Sequence, residues 1–299
     1  MLDYRIKTFL CCCDFMNFTK AALELNMTQP GVSQQIRRLE EEYHTSLFEY
    51  RDKKLSLTNA GLRLLHAARV MDHDLQILKD HIRDGSDSLS HISFGATLTI
   101  GEFVMPEKLA TFSQLYPHVN ISMKIDNTTN LLQDLENGSI DFALIEGYFS
   151  KSDYVNKVWQ TVPFIPVATP EYVMKHFENQ QITPSTLFNH RLFLREDGSG
   201  TREILSRYLQ EQNYTLFDFP YITEINSMHA IKDLVLKGCG ISFLYKTVVE
   251  AELKMGLLME VPLNQIPTFH EFTYIRQKDS IFQNEYNSFL CTCLGFDII

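Results

Sequence analysis

The side chains with the clearest chemistry lie between residues 28 and 38, in the run TQPGVSQQIRR. Amide and guanidinium groups match the hydrogen-bonding edges of bases and the phosphates of a nucleic-acid backbone. Helical spacing separates this polar side from Val32, Ile36 and Leu39, so the segment is predicted to be a helix that faces DNA. The candidate contacts within it are Thr28, Gln29, Pro30, Ser33, Gln34, Arg37 and Arg38.

A second group of polar side chains follows strand-like segments later in the chain. The run GSGTR at 198–202 combines glycines that permit close backbone approach with two hydroxyls and the planar fork of an arginine. Serine and threonine are also common helix N-caps, so capping alone explains any one of these places. Together they predict a pocket for a small anion, lined by Thr97, Thr99, Ile100, Glu146, Ser199, Gly200, Thr201, Arg202 and Ser227.

Glu146 is the unexpected member of this set, because a carboxylate repels an anion. It ends the strand-like run FALIEG. It fits the pocket if it is protonated, turned away, or paired with Arg202 or with an amine of the ligand. These alternatives stay open at the level of sequence.

The elements that would position the first group are two short helices around a turn. Ala21, Ala22 and Leu25 form an apolar stripe, and the two alanines let a second helix approach closely. Asn26 tolerates the left-handed conformation that ends a helix, and Thr28 supplies an N-cap for a helix starting near Gln29. An ordinary helical hairpin with a solvated face would share this pattern.

The segment after this hairpin favours DNA binding. A short basic turn, EYRDKK, lies between extended runs, and LSLT alternates apolar and polar residues as a strand does. This pattern is typical of a winged helix-turn-helix. The wing adds three cations that could contact phosphates, namely Arg51, Lys53 and Lys54.

Three runs, AALELNMTQPGVSQQIRRLEEEY, LFEY and LSLTNAG, resemble the N-terminal domain of LysR-type transcriptional regulators. Two residues depart from that family's pattern. His44 stands where the family usually has glycine, and histidine can enter the left-handed region. Tyr50 stands where the family usually has arginine, so we expect weaker DNA affinity or transfer of the phosphate contact to Arg51.

A long helix is predicted after Thr58. Apolar residues recur at alternating spacings of three and four, which predicts a coiled-coil seam rather than a helix lying on its own core. Charged flanks favour a second copy of the chain as its partner, and a dimer would present two reading helices to one operator. The seam consists of Gly61, Leu64, Ala68, Met71, Leu75, Leu78 and Ile82, and a Gly/Ser/Asp hinge follows at 84–88.

Residues 90–299 alternate strand-like and helix-like segments, which alone indicates an α/β fold. We predict one helix over 100–116 and a final helix over 281–294. The chain is expected to cross between two lobes near 161–169 and 260–275. The family resemblance implies a two-lobed effector domain like that of periplasmic binding proteins, with the ligand in the cleft.

The expected fold class is therefore α+β, with a winged helix-turn-helix, a long dimerisation helix and a two-lobed α/β effector domain. The expected boundaries are 1–58, 59–88 and 89–299, with lobe I at about 89–162 and 268–299 and lobe II at about 163–267. The resemblance implies operator DNA, a second copy in a dimer or tetramer, and RNA polymerase as partners. GATLTIGEFVMP, LIEG and LREDGSGTRE further resemble a subgroup related to regulators of cysteine and sulfite metabolism, which makes sulfite, another oxyanion or a carboxylate the candidate effector.

Charge and composition limit the other classes. Residues 1–85 carry twelve basic and twelve acidic side chains, so the net charge of −10 lies in the remainder. The DNA-binding part is thus neutral overall, and we expect modest, salt-sensitive nonspecific affinity. The six cysteines, at 11–13, 239, 291 and 293, show no metal-ligand spacing, and we expect them to be reduced, with the first three packed as small hydrophobes.

Two other function classes are disfavoured. A solute-binding protein would need an export signal, which the N-terminus does not resemble, and would not carry residues 1–88; the protein is expected in the cytoplasm. An enzyme is disfavoured because Ser199 lies in GSG rather than in a GxSxG elbow, and no HExxH pair occurs. No catalytic residue, metal or cofactor is expected.

Overall fold

The computed structural model describes residues 3–51, 54–84, 91–177, 181–263, 268–278 and 286–297. These residues form two compact units, one made chiefly of residues 1–90 and the other chiefly of residues 91–299. The hinge predicted at 84–88 lies almost wholly outside the described residues.

The first unit contains three short helices, a two-stranded wing and one long helix. The short helices are α1 (Tyr4–Phe15), α2 (Phe18–Glu24) and α3 (Gln29–Tyr43). The wing consists of antiparallel β1 (Phe48–Arg51) and β2 (Lys54–Leu57), and α4 (Asn59–Asp84) follows it. This order is that of a winged helix-turn-helix, as the sequence predicted.

The turn between α2 and α3 follows the predicted chemistry. Asn26 has a φ of 53°, in the left-handed region. The hydroxyl of Thr28 caps α3 by accepting the backbone N–H of Gly31 at 3.2 Å. His44 ends α3 at a φ of 50°, which confirms that histidine is tolerated where the family usually has glycine.

Backbone contacts join the wing to α4. Thr58 donates its hydroxyl to the carbonyl of Ser46 at 2.6 Å and accepts the N–H of Gly61 at 3.0 Å, so one side chain caps α4 and ties down the start of the wing. A Cβ added at Gly61 would lie 2.1 Å from the carbonyl oxygen of Leu47. Only glycine permits this approach.

The seam prediction for α4 is wrong for its first half. Ala68 is buried in the core of the first unit, and Leu64 packs against that core. Gly61 is buried against the wing. The three-four spacing identified an apolar stripe correctly, but spacing does not specify what the stripe packs against. The second half differs, since Met71 is 58% exposed and Ile82 is 73% exposed.

The second unit is built on a mixed sheet. Its strands are β3 (His91–Thr97), β4 (Asn120–Asp126), β5 (Phe142–Ile145), β6 (Val155–Ala168), β7 (Leu192–Leu194), β8 (Ile222–Glu224), β9 (Ile241–Tyr245), β10 (Met259–Glu260) and β11 (Thr268–Arg276). The order across the sheet is β4-β3-β5-β11-β6-β9-β7-β8, with β10 paired to β6. Strands β3, β4 and β5 are mutually parallel, as are β7, β8 and β9, so each end of the sheet forms an α/β lobe.

Helices cover both ends of this sheet. They are α5 (Leu98–Phe103), α6 (Met105–Leu115), α7 (Thr128–Glu136), α8 (Pro170–Phe177), α9 (Pro184–Leu187), α10 (Gly200–Glu211), α11 (Met228–Leu236), α12 (Lys246–Lys254) and α13 (Asn287–Phe289). A 3₁₀ turn spans Leu216–Asp218, and a π-helical turn spans Leu290–Leu294.

Two antiparallel strands connect the lobes. The long strand β6 pairs with β11 through its first part and with β9 through its last part, so the chain crosses from one lobe to the other within this strand. Near the C-terminus, Phe289 packs against Phe94, Phe112 and Phe142 of the first lobe, with ring centroids 5.1–5.4 Å apart. Residues 281–285 of the predicted final helix lie outside the described residues.

The single helix predicted over 100–116 is instead two helices. The break falls at Val104, and α6 carries Pro106 in its first turn. Proline has no backbone N–H and its ring obstructs the preceding turn, so the helix ends and starts again. The signal for this break in the sequence was Pro106, which lies inside the range predicted as one helix.

Candidate DNA-binding surface and effector site

Helix α3 presents two different sides. Val32, Ile36 and Leu39 are at most 3% exposed and pack in the core of the first unit. Gln34, Arg37 and Arg38 are exposed on the other side. Among the other predicted contacts at the start of α3, Gln29 donates its side-chain amide to the hydroxyl of Ser33 at 2.9 Å, while Thr28 and Pro30 form the exposed first turn.

The wing is only partly described. Lys54 is exposed at the start of β2, and Tyr50 is 70% exposed near the end of β1. Lys53 and the side chain of Arg51 lie outside the described residues. The wing therefore offers one described cation beside the exposed tyrosine.

The three consecutive cysteines lie in α1 and are at most 9% exposed. Burial raises the pKa of Cys12 to about 12 and moves the pKa of Cys13 in the same direction. A thiol that is not ionised is a poor nucleophile and redox centre. These side chains therefore act as core packing, as the sequence favoured.

The centre of the predicted effector site is Glu146, which directly follows β5. Its side chain is 1% exposed. The hydroxyl of Thr99 donates to Glu146 Oε1 at 3.1 Å, whereas Oε2 has no hydrogen-bond partner among the described residues. Burial raises the pKa of Glu146 to about 7, against the opposing effects of the Thr99 hydrogen bond and the charge of Arg195.

Close backbone contact brings the two lobes together beside Glu146. A Cβ added at Gly200 would lie 2.5 Å from the carbonyl oxygen of Glu146 and 3.2 Å from its Cγ. A Cβ added at Gly147, which has a φ of 96°, would lie 2.7 Å from the Cα of Gly200. The glycines thus let the loop after β5 and the start of α10 meet without any side chain between them.

The hydroxyls flanking Gly200 contact each other. Ser199 Oγ and Thr201 Oγ1 are 2.8 Å apart, and both residues are at most 4% exposed. Thr97 is 2% exposed, and its hydroxyl has no hydrogen-bond partner among the described residues, although it occupies the N-cap position of α5. Ile100 is fully buried on the same helix. Most of the predicted effector residues therefore lie together and shielded from solvent.

Two predicted effector residues have other partners. Arg202 donates to Glu224 Oε2 at 2.5 Å and to the carbonyl of Arg195 at 3.2 Å, so its guanidinium is engaged within its own lobe rather than with Glu146. Ser227 caps α11 by accepting the N–H of Ala230 at 3.3 Å. The capping explanation that the sequence left open for these hydroxyls applies to Ser227.

Arg195 and Tyr245 were not predicted from the sequence as members of this site. Arg195 is 3% exposed and makes two 2.7 Å hydrogen bonds to Glu196, whereas the sequence had suggested Arg202 as the cation beside Glu146. Burial opposes ionisation of Glu196, but the hydrogen bonds from Arg195 hold its pKa below the ordinary value. The signal for Arg195 was a cation directly after the apolar run LFL.

Tyr245 ends β9 with its side chain fully buried, and its hydroxyl has no hydrogen-bond partner among the described residues. Burial, followed by the charges of Glu146 and Tyr148, raises the pKa of Tyr245 well above its ordinary value. The phenol is therefore a neutral hydrogen-bonding group near Glu146.

Neither a metal centre nor a membrane span is found in the described part of the chain. No group of three or more histidine, cysteine, aspartate or glutamate side chains there could hold a metal ion. No helix there is long and apolar enough to cross a bilayer.

Comparison with known proteins gives two family matches that together cover most of the chain. Residues 4–62 match the model of the bacterial regulatory helix-turn-helix protein, lysR family. Residues 86–290 match the LysR substrate binding domain.

Similar curated proteins include the HTH-type transcriptional activator CmpR of Synechocystis, 31% identical over 88% of this chain and 84% of that protein. The HTH-type transcriptional regulator CysL of Bacillus subtilis is 28% identical over 90% of this chain and 89% of its own length.

Solved structures share the fold of the chain. Full-length LysG from Corynebacterium glutamicum with bound effector Arg aligns with a TM-score of 0.68 at 17% identity, covering 99% of this chain and 97% of that chain. A full-length OxyR variant from Pseudomonas aeruginosa aligns with a TM-score of 0.63 at 20% identity, covering 98% and 94% of the two chains. With both family models matched in order along its length, the chain belongs to the LysR family of bacterial transcriptional regulators.

Proposed function

We propose that this regulator reads a pseudo-palindromic operator through the exposed side of α3, with the wing contacting the DNA backbone. The observation that supports this proposal best is the division of α3 into a buried apolar side and an exposed side carrying Gln34, Arg37 and Arg38. Gln34 and Arg37 have the donor geometry for base edges, and Lys54 supplies a point charge for a phosphate.

The operator can be found by selecting bound duplexes from a random-sequence pool with the full-length protein. Arg37→Ala should then weaken binding to the selected duplex by roughly 1 to 3 kcal/mol and bind random DNA nearly as wild type does. Lys54→Ala should weaken both duplexes and reduce the salt dependence by about one phosphate contact. Fluorescence anisotropy at several salt concentrations measures both effects.

Lys254→Ala is the matched control, because it removes one exposed positive charge from α12 in the other unit. It should leave DNA affinity unchanged. Equal losses of Arg37→Ala on selected and random DNA would contradict base reading by α3.

We further propose that a second copy of the chain covers the second half of α4. The exposed apolar residues Met71, Leu78 and Ile82 continue the three-four spacing beyond the part that packs on the first unit. A dimer through this face supplies two reading helices for two half-sites, and dimers can pair into tetramers. The proposed division of the chain is 1–58 for DNA, 59–88 for association and 89–299 for the effector.

The proposed effector is a small anion held between the lobes by Thr97, Thr99, Ser199 and Thr201 together with the backbone around Gly200. Sulfite is one candidate, and other oxyanions and small carboxylates are the alternatives. Because these side chains are buried, the lobes must separate to admit a ligand. The ligand then shifts the balance between conformations by its differential affinity for them. Since operator DNA is the partner, the proposed location is the cytoplasm, with RNA polymerase as a further proposed partner.

Thermal unfolding with sulfite, sulfate, thiosulfate, acetate, benzoate and neutral amino acids tests the ligand class. The stabilisation should rise with the logarithm of ligand concentration above the dissociation constant. It should disappear in Thr201→Val, which removes the hydroxyl that contacts Ser199. Stabilisation by neutral amino acids alone, with none from any anion, would refute an anionic effector.

A further inference from the structure

The carboxyl group of Glu146 has a hydrogen-bonding capacity that the described residues do not use. The hydroxyl of Thr99 donates a hydrogen bond to Oε1, whereas the buried Oε2 has no hydrogen-bond partner among the described residues. Burying an ionised carboxylate with so few hydrogen bonds is unfavourable, and the group responds by binding a proton. A protonated carboxyl becomes a donor, which is the kind of group that an oxyanion needs.

The charged groups around Glu146 are already engaged. Arg195 forms a two-bond pair with Glu196, and Arg202 is paired with Glu224. The buried phenol of Tyr245 also interacts electrostatically with Glu146 and with Tyr148, and its raised pKa keeps it neutral. Each of these two arginines thus already has a carboxylate partner, so neither supplies an unpaired positive charge for both an ionised Glu146 and an anion beside it.

The hydroxyl groups of this site can donate hydrogen bonds to an anion without carrying charge. The Thr97 hydroxyl has no partner in the described ranges, and the Ser199 and Thr201 pair retains one hydroxyl hydrogen beyond the bond between them. Gly200, which lies between these two residues in the sequence, approaches Glu146 closely, since a Cβ added at Gly200 would lie 3.2 Å from Glu146 Cγ. The site is thus a cluster of neutral donors around one carboxyl.

We propose that the effector anion binds only when Glu146 is protonated, so that Glu146 donates a hydrogen bond to the anion and the bound state always carries a proton on this carboxyl. This inference rests on the proposed function, in which an oxyanion occupies this site. The regulator then responds to both anion concentration and pH, because a rise in pH removes the form with protonated Glu146, which is the form that binds the anion.

The pKa of about 7 for Glu146 places this transition near neutral pH. If only the protonated form binds, the apparent dissociation constant equals the intrinsic value divided by the protonated fraction. The dissociation constant should therefore rise about tenfold between pH 6 and pH 8. Net proton uptake per bound anion should be about one half at pH 7 and about 0.9 at pH 8.

Isothermal titration calorimetry on the full-length protein tests both numbers. The probes are sulfate, thiosulfate and benzoate, which do not themselves titrate between pH 6 and pH 8, whereas sulfite does. Each titration is run at pH 6, 7 and 8 in two buffers with different ionisation enthalpies, so that the buffer dependence of the heat reports proton uptake. The expected result is weaker binding and greater proton uptake as pH rises.

Glu146→Gln keeps an uncharged donor at this position and cannot titrate. It should bind the same anion with a dissociation constant that is constant from pH 6 to pH 8 and with no proton uptake at any of these pH values. Glu250→Gln is the matched control, because it removes an exposed carboxylate on α12, and it should titrate as wild type does. If Glu146→Gln does not fold, proton uptake by the wild type still decides the question.

The outcomes separate this inference from the proposed function. An anion that binds with the same affinity at pH 6 and pH 8 and without proton uptake would keep the anionic effector and overturn its coupling to Glu146. Failure of every anion at every pH would overturn both. Binding of ethanolamine or another ammonium compound that tightens above pH 7 would also overturn the inference, because it requires an ionised Glu146 as the ligand's partner.

Discussion

Glu146 should make the unliganded protein lose stability as pH rises, and Glu146→Gln should remove that loss. The folded state holds the pKa of this carboxyl at about 7, above its ordinary value of 4.5. The folded protein therefore binds more protons than the unfolded chain between these two pH values. The contribution of Glu146 to the free energy of unfolding is complete below pH 4.5, falls as pH rises, and reaches its minimum above pH 7.

The size of this effect follows from the separation of the two pKa values. Each unit of separation corresponds to about 1.4 kcal/mol, so the full loss is about 3 kcal/mol. Most of this loss falls between pH 5 and pH 8. Glutamine is nearly isosteric with glutamate and can still accept the hydrogen bond from Thr99, so packing around the site should change little.

Urea unfolding followed by tryptophan fluorescence measures this difference. The one tryptophan of the chain, Trp159, lies in β6 within the second unit, so its emission reports on the unit that contains Glu146. The quantity to compare is the free energy of unfolding of Glu146→Gln minus that of wild type at pH 5 and at pH 8. From pH 5 to pH 8 this difference should increase by about 2 to 3 kcal/mol, because wild type loses stability over this interval and the variant does not. A difference that is the same at both pH values would show that Glu146 is not held protonated by burial.

Three further changes test other parts of the structure. Gly200→Ala places a Cβ 2.5 Å from the carbonyl oxygen of Glu146, so it should lower the free energy of unfolding by about 1 to 3 kcal/mol and abolish anion stabilisation; wild-type ligand response would contradict the close contact. Leu75→Asp places a charge on the second half of α4 and should give monomers with weakened operator binding in analytical ultracentrifugation; an unchanged sedimentation coefficient would show that this face does not join two copies. Thr58→Val removes the cap of α4 and the hydrogen bond to Ser46, and it should lower the free energy of unfolding of the DNA-binding unit, followed by thermal unfolding, by about 0.5 to 2 kcal/mol. A stability equal to that of wild type would show that these hydrogen bonds do not stabilise the contact between the wing and α4.

The local chemistry of the first unit was predictable from the sequence because each signal acts over a few residues. Asn26 in the left-handed region and Thr28 as an N-cap both depend only on their neighbours along the chain. The stripe on α4 was visible as well, but its partner was not. Ala68 packs on its own unit and Met71 is exposed, although both obey one spacing.

The electrostatics of the effector site were not predictable in the same way. The pairing of Arg202 with Glu224 joins residues that are 22 positions apart and depends on how β7 and β8 align. The effect of Arg195 on the pKa of Glu146, and that of Glu146 on the pKa of Tyr245, depend on the arrangement of strands from two lobes. A sequence shows that such groups exist, but only the fold decides which charges are already neutralised.

The close approach of Gly61 to Leu47 has a mechanical consequence for the first unit. The backbone carbonyl of Leu47, directly before the wing, lies against the backbone of α4 with no side chain between them. Thr58 adds a hydrogen bond to Ser46 and one from Gly61 at the same place. Such a contact allows little relative movement, so a rotation of α4 about its axis also rotates the wing and the core beneath α3. Inserting one residue into α4 after this contact should therefore rotate α1–α3 and the wing by about 100° relative to the rest of α4, because each residue of an α-helix contributes about that angle. The internal structure of the rotated part should stay intact.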